Sequence, residues 1–567
     1  MRSVFLRGLC VWTLVLSSSA CSGGDKDPLD FGAARAAKKP ATAAPTTTAS
    51  TPKAPPTTTT APKQAASKLP HVQKKALIAP SAASGVGTNL SELAEYAPVW
   101  PFANAFKHAR GWISTDGKAW DDGRVVNVDE RGWVKGLVPG QKARALVVWA
   151  DGLEYPIGAW KVRWHGTGTI DFWPQGGVSS SKGEGSATLN VDPKKGGIAV
   201  TITATDALDP IRDIEVIVPG ADPAASIFNP AFLARLKGYG ALRFMDWMKT
   251  NHSTITTPAE RPQLDDSRWL DKGIPAEVAF ELCNIAGADC WINIGHTWND
   301  ELIFAVARVA KAKLDPQRRL YVESSNEVWN GIFPQSAFAK QRAIAAEISK
   351  DSFEGQMRWH ARRTVAVGAI FDDVFGADNT RVVRVLGAWA SNSWSTGIML
   401  DEVKQQGAVV DAVAIAPYFG NSLGEPEQRG MVQGLGLEGL MQKVDAAVDE
   451  SIGWVNEQKK VADASSTWLI SYEGGQHLMG VGPSAQDTII NGLFDEANRS
   501  TRMKPIYARY LKAWKDSGAG LFMHFNDVMR PTKYGRWGAL ETMSQPRDQA
   551  PKYDALMTFV ETTPRWF

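Results

Sequence analysis

The sequence is poor in several features that would each mark a class of protein. Its 567 residues hold 62 Lys and Arg against 60 Asp and Glu, a formal net charge of only +2. So small an excess gives no broad basic face for neutralising phosphates, and we expect no nucleic-acid partner. The 8 His are scattered singly, and no motif such as HExxH is present. We therefore expect neither a metal site nor a cofactor.

Cysteine is also scarce, with four residues in the chain. Cys10 and Cys21 belong to the first 21 residues, which leaves Cys283 and Cys290 in "ELCNIAGADCW". In an oxidising compartment this pair could form a disulfide across a short loop. Two buried thiols are an equal alternative, and the sequence leaves both open.

The N-terminal segment, residues 1–21, has the pattern of an export signal. Arg2 and Arg7 precede an apolar run at 9–16 that is too short to span a bilayer. Small residues then lead to Cys21, an arrangement that resembles a bacterial lipoprotein cleavage site. This resemblance implies lipidation of Cys21 and contact with a membrane through that lipid, with ordinary secretion as the alternative.

Residues 22–84 consist mainly of Ala, Thr, Pro and Lys. Such a composition buries too little apolar surface to offset the entropy of ordering, so we predict a disordered, extended tether. A chain with this signal and tether is expected to be exported and anchored to the bacterial outer membrane or cell surface. Without the lipid it would be secreted or periplasmic.

The rest of the chain alternates short apolar runs with helix-like stretches, which predicts a parallel sheet covered by helices. With an additional run near the start there are eight such runs, enough for an α/β fold of the (β/α)8 TIM barrel type. We place the strands at 84–93, 240–248, 288–296, 319–327, 381–389, 409–418, 467–475 and 518–527.

One interval interrupts the alternation. Residues 114–220 alternate apolar and polar side chains between Gly, Asp and Pro turns, which is typical of antiparallel β structure. We predict an antiparallel β-sandwich inserted between the first and second barrel strands. The barrel would then comprise residues 85–113 and 221–567.

Two carboxylates fall at the ends of predicted barrel strands. Glu327 ends the fourth and Glu473 the seventh, so both face the barrel mouth, where active sites of this fold lie. Such a pair can cleave a glycosidic bond with retention of configuration. A second Asn-Glu dipeptide, Asn456–Glu457, falls in a helical pattern and has no such position.

The stretches "SSNEVWN" and "ISYEGG" around these carboxylates resemble the clan A glycoside hydrolases, which are retaining (β/α)8 barrel enzymes. The resemblance implies that Glu327 is the acid/base and Glu473 the nucleophile. It also implies that Asn326 contacts a sugar hydroxyl and that Tyr418 hydrogen-bonds the nucleophile.

Other residues near the predicted mouth are candidates for substrate binding. By the same resemblance, Arg243 would lie beneath the nucleophile and His296 beside the reacting sugar, although Asp246 is predicted to be nearer the strand end than Arg243. Glu323, in the middle of a strand, is predicted to be a buried group that pairs with a base such as Arg243. Strand eight ends "MHFND", without the tryptophan common in the clan, so stacking must come from elsewhere. Further candidates are His477, His524, Asn526 and the tryptophans Trp247, Trp298, Trp329, Trp389 and Trp537.

These observations predict an exported retaining glycoside hydrolase that acts on a polysaccharide or oligosaccharide. The alternative is a surface carbohydrate-binding lipoprotein that is built on a similar barrel but does not cleave. The sequence gives no sugar, linkage or oligomeric state.

Overall fold

The computed structural model describes residues 74–80, 82, 84–149 and 155–567. The predicted signal segment, Cys21 and nearly all of the predicted tether lie outside the described residues. Those predictions stay predictions.

The described residues form eighteen strands and ten α-helices, with short 3₁₀ turns in the connections. The strands are β1 (Val86–Asn89), β2 (Ile113–Thr115), β3 (Asn127–Val128), β4 (Val134–Gly136), β5 (Lys142–Val148), β6 (Gly158–His165), β7 (Gly168–Trp173), β8 (Val178–Ser181), β9 (Glu184–Val191), β10 (Ile198–Thr205), β11 (Arg212–Ile217), β12 (Ala241–Arg243), β13 (Asp289–Ile294), β14 (Leu320–Ser324), β15 (Val382–Gly387), β16 (Ala412–Ile415), β17 (Trp468–Ser471) and β18 (Phe522–His524). The helices are α1 (Pro230–Leu236), α2 (Ala276–Ala286), α3 (Asp300–Lys313), α4 (Pro334–Ala345), α5 (Ser352–Phe375), α6 (Ser393–Gln405), α7 (Arg429–Ala464), α8 (Thr488–Arg499), α9 (Met503–Asp516) and α10 (Pro551–Thr562).

Eight parallel strands form the predicted barrel. Their order is β17-β16-β15-β14-β13-β12-β1-β18, so each strand lies beside its neighbour in the barrel sequence. Backbone hydrogen bonds join the two ends of this order: the Ser471 amide donates to the Leu521 carbonyl at 2.9 Å, and the Gly520 amide donates to the Leu469 carbonyl at 2.7 Å. The ring of strands therefore closes.

The barrel interior is packed with side chains. Trp291 and Tyr321 stack there with their ring centroids 5.2 Å apart, and small residues such as Ala412 and Ala414 make room for them. Alternate residues of a strand face opposite sides, so these inward residues differ from the outward ones that contact the helices. The interior is a core and not a pore, which leaves the mouth as the place for a site.

Each predicted barrel strand is present but shorter than the sequence predicted. The second strand ends at Arg243, not near residue 248, and the fourth ends at Ser324, three residues before Glu327. The prediction that Asp246 lies nearer the strand end than Arg243 is therefore wrong. Apolar residues continue beyond these strand ends because the loops at the mouth are themselves packed, as with Phe244 and Met245.

The predicted interval between the first and second barrel strands holds antiparallel sheets. One has the order β2-β5-β10-β7-β8, another the order β11-β6-β9, and β3 and β4 form a short hairpin. Alternation is clear in β6, where Trp160, Val162 and Trp164 are buried and the residues between them are exposed. Trp164 lies against Phe172 of the larger sheet, with ring centroids 5.8 Å apart, so the two sheets share core contacts.

The helices cover the outside of the barrel. The long stretch from 334 to 376 contains two helices, because Asp351 caps a new helix by accepting from the amides of Phe353 and Glu354. Asn456 and Glu457 lie within α7, as predicted for the second Asn-Glu pair. Among the described residues, every helix is too short or too polar to span a lipid bilayer.

Candidate functional site

Arg243, the last residue of β12, connects four barrel strands. Its guanidinium donates to Glu323 at 2.9–3.0 Å and to Asn326 at 2.7 Å, and it also donates to Asn89 and to Glu473, each at 2.8 Å. These contacts use its five N–H donors. The side chain has no exposed surface, so the charge is stable there only because it is fully paired. Burial alone would lower the pKa of Arg243, but the two carboxylates raise it.

Glu323 is the buried partner that the sequence predicted for Arg243. Its Oε2 also accepts from the Trp291 indole at 2.9 Å and from the Asn293 amide at 2.8 Å. Glu323 is 1% exposed and faces the barrel interior below the mouth. It therefore fixes Arg243 from beneath and has no surface with which to contact a substrate.

Glu473 lies two residues beyond β17, directly above this network. Oε1 accepts from Arg243, and Oε2 accepts from the Tyr418 hydroxyl at 2.9 Å. Its carboxylate is thus held by one cation and one neutral donor. Gly475 follows at φ +128°, a backbone conformation that favours glycine, and a Cβ there would lie 2.8 Å from the Tyr507 hydroxyl. The "EGG" sequence allows the chain to turn sharply after Glu473.

Glu327 reaches the same place from the loop after β14. Its φ is +40°, and Ser325 has φ +65°, so the backbone takes an uncommon path that turns the side chain over the mouth. Oε1 accepts from the Tyr472 hydroxyl at 3.0 Å and Oε2 from the Asn330 amide at 2.9 Å. Both donors are neutral, and no described Lys, Arg or His forms an ion pair with Glu327.

The two carboxyls interact electrostatically. Burial raises the pKa of each, and the negative charge of Glu327 raises that of Glu473 further. Arg243 and the Tyr418 hydroxyl oppose the rise at Glu473, whereas only more distant charge and two neutral donors oppose it at Glu327. The Arg243 cation contacts Glu473 directly and stabilises its negative charge, whereas Glu327 has no described cation in contact, so the two carboxyls stand in unlike environments.

Asn326 is held firmly between these groups. Its carbonyl accepts from Arg243, and its amide donates to Asn251 at 3.2 Å. Gln335 donates both to the Asn326 backbone carbonyl and to Asn251. This fixed side chain stays a predicted contact for a sugar hydroxyl.

Aromatic side chains line two sides of the carboxylate pair. Trp329 and Trp389 stack in parallel, with centroids 5.0 Å apart and an interplanar angle of 2°. On the other side, the His477 ring contacts Tyr418 at 5.0 Å and Trp537 at 5.4 Å. Burial lowers the pKa of His477 to about 4, so this imidazole is neutral at pH 7. The predicted residues Tyr418, Trp329, His477 and Trp537 thus lie around the mouth.

Other predicted substrate-binding residues lie inside the protein. Trp247 is 1% exposed, packs against Phe102 and Phe232, and donates its indole N–H to the Ser91 carbonyl. A ring so enclosed cannot stack on a sugar, so its prediction as a binding residue is wrong. Trp298, 6% exposed, likewise donates to Ser253.

The end of the eighth strand is also buried. His524 has no exposed surface, contacts the Tyr507 hydroxyl at 3.3 Å and has its pKa lowered to about 3 by burial. Asn526 is 3% exposed. His524 is therefore enclosed by neighbouring side chains, whereas Asn526, about as buried as Asn326 at 2% exposed, stays a predicted binding residue.

His296 and Asp246 occupy loops beside the mouth. The His296 ring is half-buried against Phe338, with centroids 5.2 Å apart, and burial lowers its pKa. Asp246 is half-buried in the turn after β12, where burial and the nearby Glu92 carboxylate raise its pKa to about 7. Neither residue contacts Glu327 or Glu473 through a hydrogen bond in the described part of the chain.

Cys283 and Cys290 are free thiols, both fully buried. Of the two alternatives, the structure has the buried thiols and not the disulfide between Cys283 and Cys290. Cys283 lies on the inner side of α2 and Cys290 on β13, and each fills core space as a small apolar side chain. Among the described residues, no group of three His, Cys, Asp or Glu side chains is arranged to hold a metal ion.

Sequence reasoning missed three residues that hold the site. Tyr472 donates to Glu327, Asn330 donates to the same carboxylate, and Asn89 accepts from Arg243. Asn330 lies in the quoted "SSNEVWN" stretch, and its position three residues after Glu327 was an available signal. Tyr472 was hidden by its neighbour Glu473, because adjacent strand residues normally face opposite sides.

Comparison with known proteins gives structural resemblance only. No protein-family model matches the chain, and no curated protein matches its sequence. Among solved structures, it resembles a Cellulomonas fimi endo-β-1,4-mannanase double mutant (10% identity, 52% of this chain, 58% of that chain, TM-score 0.29). It also resembles a Fusarium oxysporum 4-O-α-L-rhamnosyl-β-D-glucuronidase (12% identity, 58% of this chain, 63% of that chain, TM-score 0.35). A third similar structure is a Thermotoga petrophila endo-β-1,4-mannanase (12% identity, 58% of this chain, 72% of that chain, TM-score 0.33). The aligned region spans less than two thirds of the first two proteins.

Proposed function

We propose that the protein is a retaining glycoside hydrolase of the clan A type that cleaves a polysaccharide or oligosaccharide. One observation carries this proposal: two carboxyls, Glu327 and Glu473, meet at the mouth of a closed parallel barrel in unlike environments. Glu473 contacts the buried cation Arg243, and Glu327 contacts only neutral donors. A pair that differs in this way supplies one acid and one nucleophile.

In the proposed first step, Glu327 donates its proton to the glycosidic oxygen while the bond from that oxygen to the anomeric carbon breaks. A Glu473 carboxylate oxygen forms the new bond to the anomeric carbon, which gives a covalent glycosyl-enzyme. In the second step Glu327, now ionised, takes a proton from water as the water oxygen bonds to the anomeric carbon. The bond to Glu473 breaks, and both carboxyls return to their starting states.

The surrounding residues would orient these groups. Arg243 and Tyr418 fix the two oxygens of Glu473, and Tyr472 and Asn330 fix those of Glu327. Fixed reacting groups lower the entropic part of the barrier. The stacked pair of Trp329 and Trp389 offers an apolar surface beside the acid, suited to a sugar ring on the leaving-group side.

The location of the protein is part of the proposal. The signal pattern of residues 1–21, with lipidation at Cys21, supports export and anchoring of a tethered enzyme that meets its substrate outside the cell. The sandwich form of the inserted sheets stays a prediction.

The proposal is tested by paired Glu327→Gln and Glu473→Gln variants of the full chain. We expect each to lose at least a thousandfold in kcat on any glycan that the parent cleaves, with the melting temperature retained. Glu457→Gln is the matched control: it also follows an Asn, and its side chain is 60% exposed on a helix. A 2-fluoro glycoside of the cleaved sugar should label Glu473, as read by mass spectrometry of the digested protein.

The alternative, a carbohydrate-binding protein that does not cleave, makes different predictions. It gives no product and no 2-fluoro adduct with any glycan that binds. Full activity in both Gln variants would exclude the proposed roles.

A further inference from the structure

The inserted domain carries aromatic side chains on its surface that the proposed catalysis does not use. Trp120 is 41% exposed and Trp173 is 50% exposed, with the half-buried Trp149 beside them. The Trp120 centroid lies 6.1 Å from that of Trp149 and 6.5 Å from that of Trp173. We call these three residues the tryptophan cluster. A contiguous exposed aromatic area is a feature of interaction sites.

The cluster is held in position by its surroundings. The Trp120 ring lies against the Arg144 guanidinium, 4.7 Å from the centroid, and Arg144 in turn donates to the Thr201 hydroxyl at 3.2 Å. The turn that carries Trp120 is fixed by the Thr115 hydroxyl, which donates to the Ala119 carbonyl at 2.5 Å. Rings that are already fixed lose little conformational freedom when a ligand binds.

Polar groups lie in a row beside the cluster. On the five-stranded sheet Arg144 pairs with Thr201, and Thr201 pairs with Asp171, so the three side chains are cross-strand neighbours on one face. Trp173 follows Asp171 by two residues and therefore shares that face. Thr169 precedes Asp171 by two residues, and its hydroxyl lies 2.9 Å from that of Ser180. The face thus combines flat apolar rings with hydroxyls and one charge of each sign.

We propose that this face binds an extended polysaccharide chain, as a second carbohydrate site separate from the mouth of the barrel. A pyranose ring presents a C–H face that stacks on an indole and hydroxyls that both donate and accept. Arg144 and Asp171 offer the matching donor and acceptor, and their opposite charges favour a neutral ligand over a polyanion. The proposal goes beyond cleavage and does not depend on the roles of Glu327 and Glu473.

The test measures binding in the absence of cleavage. The full-length Glu473→Gln protein is mixed with insoluble cellulose, insoluble mannan and insoluble xylan, and the protein left in the supernatant gives the affinity. The same measurement is made after adding Trp120→Ala and Trp173→Ala together. We expect binding to at least one polysaccharide, and at least a tenfold loss of affinity in the double variant. If the double variant does not fold, Trp173→Ala alone gives the same comparison, since that ring is half exposed at a strand end.

A matched control is available in Trp468→Ala. That indole is 37% exposed, similar to Trp120, but it begins barrel strand β17, at the end opposite the mouth. We expect it to bind as the parent does. With Glu473 intact, the Trp120→Ala and Trp173→Ala protein should cleave short soluble substrates at the parent rate.

Three results would overturn the inference. The first is equal polysaccharide binding by the double variant and by the Glu473→Gln protein that it is derived from. The second is no binding of the Glu473→Gln protein to any of the three polysaccharides. The third is a Glu473→Gln protein that sediments as a dimer and becomes monomeric when both tryptophans are replaced. The last would show that the face joins two copies of the chain. If the protein with Glu473 intact cleaves no glycan, but polysaccharide binding is still lost in the double variant, the result supports this binding site and contradicts the proposed hydrolase.

Discussion

Two tyrosines allow the proposed acid, Glu327, and the proposed nucleophile, Glu473, to be told apart experimentally. The Tyr472 hydroxyl donates to Glu327 at 3.0 Å, and the Tyr418 hydroxyl donates to Glu473 at 2.9 Å. Each hydrogen bond favours the ionised carboxylate and so lowers its pKa. A change of Tyr to Phe removes only the hydroxyl, which makes Tyr472→Phe and Tyr418→Phe a matched pair.

The expected shifts follow from the strength of one hydrogen bond to a charged group. Losing such a bond costs the ionised form about 1.5 kcal/mol, which is roughly one pKa unit. In Tyr472→Phe the pKa of Glu327 rises, so the acid keeps its proton to higher pH and the basic limb of the activity profile moves up. In Tyr418→Phe the pKa of Glu473 rises, so the nucleophile is protonated at higher pH and the acidic limb moves up.

The assay is the pH dependence of kcat/KM for the parent and both variants on one substrate. Each variant serves as the control for the other, because both remove a buried hydroxyl beside the same site. If Tyr472→Phe moved the acidic limb and Tyr418→Phe the basic one, the roles of Glu327 and Glu473 would be reversed. If neither limb moved in either variant, the limbs would not report these carboxyls.

Two further predictions concern Trp247 and Asp246, which follow strand β12. Trp247→Ala should lower the free energy of unfolding, measured by urea titration, by about 3–5 kcal/mol, because it empties a buried aromatic site. The control Trp394→Ala, at a position 57% exposed, should change it by about 0.5 kcal/mol or less. A raised KM in a stable Trp247→Phe protein would show that the Trp247 ring does contact substrate. Asp246 keeps its proton in the folded protein up to a pH of about 7, while in the unfolded chain it ionises near its ordinary value of 3.8. Folding therefore favours the protonated form, stability falls as pH rises between these two values, and Asp246→Asn should reduce that fall in urea titrations made across this range. If the free energy of unfolding changed with pH in Asp246→Asn as it does in the parent, the pKa of Asp246 would not be raised by folding.

The barrel could be read from the sequence because its signals are local and repeated. Each apolar run of a buried parallel strand is followed by a helical pattern, and the structure has a strand within all eight predicted runs. The ends of the strands could not be read in this way. Phe244 and Met245 continue the apolar run past Arg243 but pack in the mouth loops, so hydrophobicity did not mark where the hydrogen-bonded ladder stops.

In the candidate site, too, some contacts could be predicted from the sequence and others could not. The pairing of Glu323 with Arg243 followed from strand alternation and from the need to neutralise a buried charge, and the structure has this pair at 2.9 Å. The role of Tyr472 did not follow, because it depends on how the chain turns after β17. Trp247 and His524 were predicted near the mouth because their positions in the chain are near strand ends. Their burial depends on side chains from other elements of the fold, such as Phe102 and Tyr507.

Arg243 has a consequence for stereochemistry. One guanidinium contacts Glu473 directly and also Asn326, the residue that precedes Glu327, so a single planar group links one carboxyl to the loop that carries the other. In glycosidases that separation decides whether the anomeric configuration is kept or reversed, since a wider gap admits a water molecule between carboxyl and sugar. A side chain with no exposed surface would thus bear on the anomeric configuration of the product, because it holds the two carboxyl-bearing segments relative to each other.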